Sequence, residues 1–161
     1  MIESHRILET EAHPAAVIHL TIPREQMPAE MPTAIHEILA ALQAQGVQPT
    51  GPLFAHHLNL SSDLFDFEVG FPVGGAIAAA GRVRPGNLPA AKVVQTVYHG
   101  PYEGLFSAWQ SFGDQAASDL AAGGLKPASN LWERYLTGPE SDPDPSTWRT
   151  ELNLPLIEAA S

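Results

Sequence analysis

Two stretches of this chain, AAVIHLTI at 15–22 and KVVQTVYH at 92–99, concentrate β-branched and aromatic side chains and stop ahead of a proline, which predicts strands. Behind each proline the apolar period lengthens. Leu105, Trp109, Phe112, Ala116 and Leu120 recur at three- and four-residue spacing, and Ile35, Ile38, Leu39 and Leu42 make a comparable stripe, so a helix is expected in each place. Pro101 suits a first helical turn. Gly46 and Gly124 stand where the glycine after a helix belongs. Two strands are then expected behind each glycine, 53–60 with 65–72 and 131–137 with 148–155.

The order of elements is the same twice, and so are many residues. A shift of 78 lays Pro23 on Pro101, Glu25 on Glu103, Leu42 on Leu120, Gly46 on Gly124, Pro49 on Pro127, Leu53 on Leu131 and Leu58 on Leu136. Past a longer second loop, DFEVGFPV at 66–73 matches RTELNLPL at 149–156 at a shift of 83. Glycines and prolines kept in register over a whole unit point to an internal duplication. The expected fold class is therefore α+β: a pseudo-twofold duplication of a β-α-β-β unit, with antiparallel sheets forming a groove and one main helix per repeat. Repeat one should run from about 4 to 73 and repeat two from about 92 to 157, within one domain over 1–161. The Gly- and Pro-rich stretch 74–91 would join them. A groove between two such modules is where small-molecule sites tend to lie.

Composition narrows the choice of partner. Eight basic against eighteen acidic residues give a formal net charge of −10, which offers no footprint for phosphate backbones or an anionic membrane surface. No direct nucleic-acid or membrane binding is expected. Without cysteine there is no thiolate nucleophile, disulfide or Cys-ligated metal. The charged start, MIESHRILETE, lacks an apolar signal region, and a cytoplasmic location is expected. A protein partner or a homodimer stays open.

The segments YHGPYEGLFSAW and LWERYLTGPESDPDPSTWRTELNLPL resemble the GyrI-like small-molecule-binding domain, the effector-binding module of AraC-type and MerR-type multidrug-responsive transcription activators. The similarity covers nearly the whole chain, with the diagnostic motifs in 98–155. It implies a doubled β-α-β-β fold whose cavity receives lipophilic cations through aromatic side chains and a buried glutamate, here Glu133. Some stand-alone members of the family resemble hydrolases that open strained cyclopropane rings. With about 14 residues ahead of the first expected strand, no helix-turn-helix domain is expected within this sequence.

Glu133 alternates with Leu131 and Tyr135 on one strand face, while its counterpart in the first repeat is Ala55. His57, which aligns with Tyr135, would share the pocket. A carboxyl in such a place can attract a cation, donate a proton or act as a base. The plainer alternative is a half-exposed glutamate paired with a nearby arginine. Tyr98, Tyr102, Phe106 and Trp109 make an aromatic entry to the second helix. Phe106 and Phe112 are expected in the core, and Trp109 and Tyr98 are candidate pocket walls. His56, His57 and His99 show no metal-ligand spacing, and the acidic loop 139–146 lacks the glycine and closing glutamate of a calcium loop. No metal and no cofactor are expected. Glu68 and Glu151 match in both repeats, which suits packing or hydrogen bonding better than a one-of-a-kind site.

Three functions are consistent with this. The first is a stand-alone binding protein for a lipophilic, cationic or aromatic small molecule. The second is a cyclopropane-opening hydrolase using Glu133 as general acid or base. The third is a gyrase-inhibitor-like interaction module with an acidic surface.

Overall fold

A computed structural model describes residues 2–59, 64–138 and 142–159 of the chain. In chain order the strands are β1 (Arg6–Glu9), β2 (His13–Ile22), β3 (Phe54–His57), β4 (Phe65–Pro72), β5 (Arg84–Leu88), β6 (Lys92–His99), β7 (Leu125–Pro127), β8 (Leu131–Thr137) and β9 (Arg149–Glu158). The helices are α1 (Met27–Ala44) and α2 (Leu105–Ala122). The fold is α+β, a β-α-β-β unit written twice with antiparallel strand pairing.

The chain divides into two compact units, Glu11–Ala90 and Met1–Thr10 with Ala91–Ser161. In the first, the sheet order is β3-β4-β2-β5. In the second it is β1-β6-β9-β8, with β7 paired to the far end of β9. Both flanking strands β1 and β5 lie outside the repeating pattern. The N-terminal residues thus pack with the second repeat, and the stretch joining the repeats carries a strand for the first. β1 is pinned at both ends: Glu3 N–H donates to Val97 O at 2.9 Å and Thr10 N–H to Ala91 O at 2.8 Å. Two histidine–carboxylate pairs add to this, His5 with Asp119 at 2.7 Å and His99 with Glu3 at 2.5 Å. β5 is an edge strand, where Pro85 is tolerated because its missing N–H need not join a ladder.

The duplication extends to the hydrogen-bond register. Ala15 pairs with Pro72 and Val93 with Pro155; Phe54 pairs with Gly70 and Trp132 with Asn153. Each second pair is the first displaced by the sequence shifts of 78 and 83. The helix ends repeat as well. Gly46 and Gly124 adopt φ of +69° and +70°, the left-handed conformation that glycine enters without a Cβ penalty.

Each helix buries one stripe. α1 buries Ala34, Ile38 and Leu42, so Ile38 and Leu42 of the expected stripe face the sheet, while Ile35 is half-buried and Leu39 is 41% exposed. The small Ala34 takes the inward place that hydrophobicity alone would assign to Ile35. α2 buries Ala108, Phe112, Ala116 and Leu120 against Val94, Tyr98, Leu152, Leu154 and Leu156, with Leu105, Trp109 and Leu131 at the margin. Phe106, expected in the core, is 60% exposed, because the α2 face that meets the sheet begins at Leu105 and continues through Ala108. Pro101 precedes a 3-10 turn, Tyr102–Gly104, and the α-helix proper starts at Leu105.

Phe112→Ala should cost about 3–5 kcal/mol of unfolding free energy, since it empties a fully buried ring position. Phe106→Ala should stay within about 1 kcal/mol. Urea denaturation of both variants checks the pair.

Candidate ligand-binding site around Glu133

In an antiparallel pair, residues opposite each other point to the same face. Glu133 lies opposite Leu152 and Tyr135 opposite Thr150, both on the β9 face that α2 covers. Trp132 and Arg134 point the other way. Glu133 is therefore turned inward beneath α2, at 8% exposure. A register shift follows directly after Tyr135, where β8 opposes β9 irregularly before Thr137.

Two neutral donors hold the carboxylate. Trp109 Nε1–H donates to Oε2 at 2.7 Å and the Tyr135 hydroxyl donates to Oε1 at 2.7 Å. Among the described residues no ion pair forms on Glu133. The nearby arginine serves another acid: Arg134 NH1 donates to Glu151 at 2.9 and 3.2 Å, on the opposite face of the same strand pair. Glu151 also accepts from Asn153 Nδ2 at 2.9 Å, and Asn153 Oδ1 accepts from Gln95 Nε2 at 2.8 Å. That network consumes Arg134, so the paired-glutamate alternative for Glu133 does not describe this structure. Burying a charge costs several kcal/mol unless it is compensated. A hydrogen bond to a charged acceptor returns about 1.5–3 kcal/mol. Among the described residues Glu133 has hydrogen bonds but no counter-charge.

The burial of its phenol, together with the charge and hydrogen bond of Glu133, raises the Tyr135 pKa well above the ordinary value. Tyr135 therefore stays a protonated donor at neutral pH. An aromatic run continues outward from it. The Tyr102 ring meets Tyr135 edge-on, centroids 5.7 Å apart, and lies 5.0 Å from Trp148. On the inner side Trp109 lies 5.8 Å from Phe112. Trp148 is anchored through its own indole N–H, which donates to Asp142 O at 2.7 Å. Sequence reasoning passed over Trp148. The signal was available, since it takes the place of Phe65 at the shift of 83.

Of the candidates named from sequence, the structure brings Glu133, Tyr135, Trp109 and Tyr102 together in one unit. Tyr98 is buried in the same unit, but its hydroxyl donates to Pro101 O at 2.8 Å. Its pKa is raised by burial and by the charge of Glu103. His57 belongs to the other unit, where it stacks on Phe67 at 5.2 Å and meets Phe65 edge-on at 5.5 Å. Ala55, the counterpart of Glu133, is fully buried. Among the described residues no group of three His, Asp or Glu side chains could hold a metal ion. Part of the acidic loop, 139–141, lies outside those residues. No helix among them is long and apolar enough to cross a membrane.

A buried acid with neutral donors and an aromatic run thus lies within a doubled β-α-β-β scaffold. The chain belongs to the family of the GyrI-like small molecule binding domain, which it matches over residues 4–157. The fold is similar to that of the EcmrR C-terminal domain, with a TM-score of 0.80 at 17% identity, covering 97% of this chain and 98% of that one. Against EcmrR in its DNA complex the chain spans 58% of the longer protein's length. SAV2435 bound to tetraphenylphosphonium gives a TM-score of 0.69 at 11% identity, over 96% of this chain and 94% of that one. A hydrolase from Listeria innocua gives 0.60 at 13%, over 95% and 91%. No curated protein sequence matches the chain. At such identities the likeness establishes the fold.

Spectrophotometric titration should show Tyr135 ionising far later than a free phenol, whose pKa is about 10. Glu133→Gln removes the negative neighbour and should bring that transition down, although burial keeps it high. The sign of the stability effect follows. A raised folded-state pKa stabilises fully below about pH 10, and the contribution is lost as pH climbs beyond that. Tyr135→Phe should therefore flatten the alkaline limb of a stability–pH profile. An unchanged limb would mean the phenol is not held as described.

Proposed function

We propose that this chain is a binding protein for a lipophilic, cationic or aromatic small molecule, with Glu133 as the counter-charge and Trp109, Tyr135, Tyr102 and Trp148 as the aromatic surround. The observation that carries this is the buried Glu133 with two neutral donors and, among the described residues, no ion pair on it. A bound cation would supply the missing partner, and ring faces add attraction of about 0.5–2 kcal/mol each for a cation seated over them. A broad, poorly hydrated cation suits the site better than a compact ammonium ion, which gives up more hydration on burial. SAV2435 holding tetraphenylphosphonium on a similar fold supports this choice of ligand class. The net charge of −10 would favour the approach of cations at low salt.

A second reading has an observation of its own. Tyr135 presents an O–H that donates to a buried carboxylate, and a carboxylate so placed can take a proton from a bound molecule or return one. On that reading Glu133 takes a proton from water as the water's oxygen bonds to a ring carbon, the strained C–C bond at that carbon breaks, and the carbon that keeps the bonding pair takes the proton back from Glu133. The similarity to a hydrolase fold is compatible with it.

Calorimetric titration with tetraphenylphosphonium should give saturable binding, weakened at least about tenfold by Glu133→Gln. Equal binding by the variant would remove Glu133 from the site. Incubation with an electrophilic cyclopropane, followed by mass analysis, separates the two readings. Recovery of unchanged compound favours binding alone. A product with one added water, absent with Glu133→Gln, favours hydrolysis.

A further inference from the structure

The turn between β6 and α2 is wrapped around a single phenol. Tyr98 is buried at the end of β6, and its hydroxyl donates to Pro101 O at 2.8 Å. The same carbonyl accepts the N–H of Gly104 at 3.1 Å, closing the 3-10 turn Tyr102–Gly104. Both glycines of the motif HGPYEG lie against that phenol. A Cβ on Gly104 would stand 2.1 Å from the Tyr98 oxygen, and one on Gly100 would stand 2.8 Å from it. Gly100 also has φ of +144°, a conformation L side chains rarely adopt, and its N–H donates to Trp148 O at 2.9 Å. Tyr98, Gly100, Pro101 and Gly104 thus make one interlocked piece, and the residue it carries is Tyr102, set against Tyr135 and Trp148.

The first repeat serves as an internal control. At the shift of 78 the equivalents of Tyr98, Gly100, Tyr102 and Gly104 are Leu20, Ile22, Arg24 and Gln26. A 3-10 turn forms there all the same, Arg24–Gln26, closed by Gln26 N–H to Pro23 O at 3.0 Å. Strand, proline and turn therefore do not require the tyrosine or the glycines. The lock is present only in the repeat that also has Glu133, Trp109, Tyr135 and Trp148.

We propose that Tyr98 is a positioning residue: its phenol, fitted against Gly100 and Gly104 and bonded to the Pro101 carbonyl, sets where Tyr102 stands over the Glu133 site. This rests on the small-molecule reading for its purpose but not for its geometry. The lock determines how far the outer aromatic wall lies from the carboxylate, and so the breadth of ligand admitted.

Two measurements test it on the full chain. The first needs no ligand. The near-ultraviolet circular dichroism band lost in Tyr102→Ala, which reports Tyr102 against Trp148 and Tyr135, should also be lost or inverted in Tyr98→Phe, with the far-ultraviolet spectrum unchanged. Persistence of the band in Tyr98→Phe overturns the proposal, whether or not any cation binds. The second uses tetraphenylphosphonium. Tyr98→Phe should weaken binding about two- to tenfold, the effect of one hydrogen bond. It should have no further effect in a Tyr102→Ala background, because the two act as one. Gly104→Ala should weaken binding more than Tyr98→Phe, and the double variant Tyr98→Phe with Gly104→Ala should recover part of that loss, since the clashing oxygen is gone while the ring carbon Cζ still lies 3.1 Å from the added Cβ. Additive losses, or wild-type affinity in Tyr98→Phe while Glu133→Gln has lost binding, overturn the positioning role. Loss of the band in Tyr98→Phe together with equal binding by Glu133→Gln would retain the lock and remove the proposed ligand class.

Discussion

A buried carboxylate held by two neutral donors, with no ion pair among the described residues, is the constraint around which the second repeat is arranged. Water would solvate Glu133 far better than an indole and a phenol do, so its burial is maintained by everything that brings those donors to it. Trp109 reaches it because α2 packs Ala108, Phe112 and Ala116 closely onto the sheet. Tyr135 reaches it because it lies two residues along the same strand face. The arginine between them is turned away and engaged by Glu151. The sheet therefore separates two kinds of acid: a paired, networked one on one face and an uncompensated one on the other.

Duplication makes the contrast legible. Strand registers, helix-ending glycines and the prolines before each helix are shared by both copies, and these features build the scaffold. Among the matched positions that differ are Ala55 and Glu133, His57 and Tyr135, Arg24 and Tyr102, Phe65 and Trp148. In the first repeat the guanidinium of Arg24 lies 5.2 Å from the centre of the Phe65 ring. In the second, the matched pair is Tyr102 and Trp148, ring against ring. One copy thus places a cation of its own on its aromatic ring, and the other sets two aromatic side chains against each other and against Tyr135, which donates to Glu133.

Much of the scaffold was legible from periodicity and punctuation. The strands 65–72 and 131–137 lie where β-branched and aromatic runs predicted, and the two helices follow their prolines. The misses have physical causes. The β1 segment reads as a charged leader because an edge strand needs little burial, and its pairing is decided by residues more than 80 positions away. The β5 segment contains a proline and a glycine, which argue against a central strand but not against an edge. Phe106 was assigned inward from hydrophobicity alone, whereas the facing surface of α2 is set by where Ala108 and Ala116 allow the sheet to approach.

The sequence by itself determined the doubled β-α-β-β plan, the charge of Glu133 where the first copy has Ala55, and the aromatic residues near it in the chain, because periodicity, punctuation and residue type are local properties. Only the tertiary structure decided what each of those side chains does. That Arg134 is spent on Glu151, that Trp109 and Tyr135 donate to Glu133, and that the Tyr98 hydroxyl turns back onto Pro101 all depend on strand register and helix height. These bring together atoms up to 24 residues apart in the chain, to within hydrogen-bond distance. No local pattern encodes such distances, because one position of slip in a strand reverses every face.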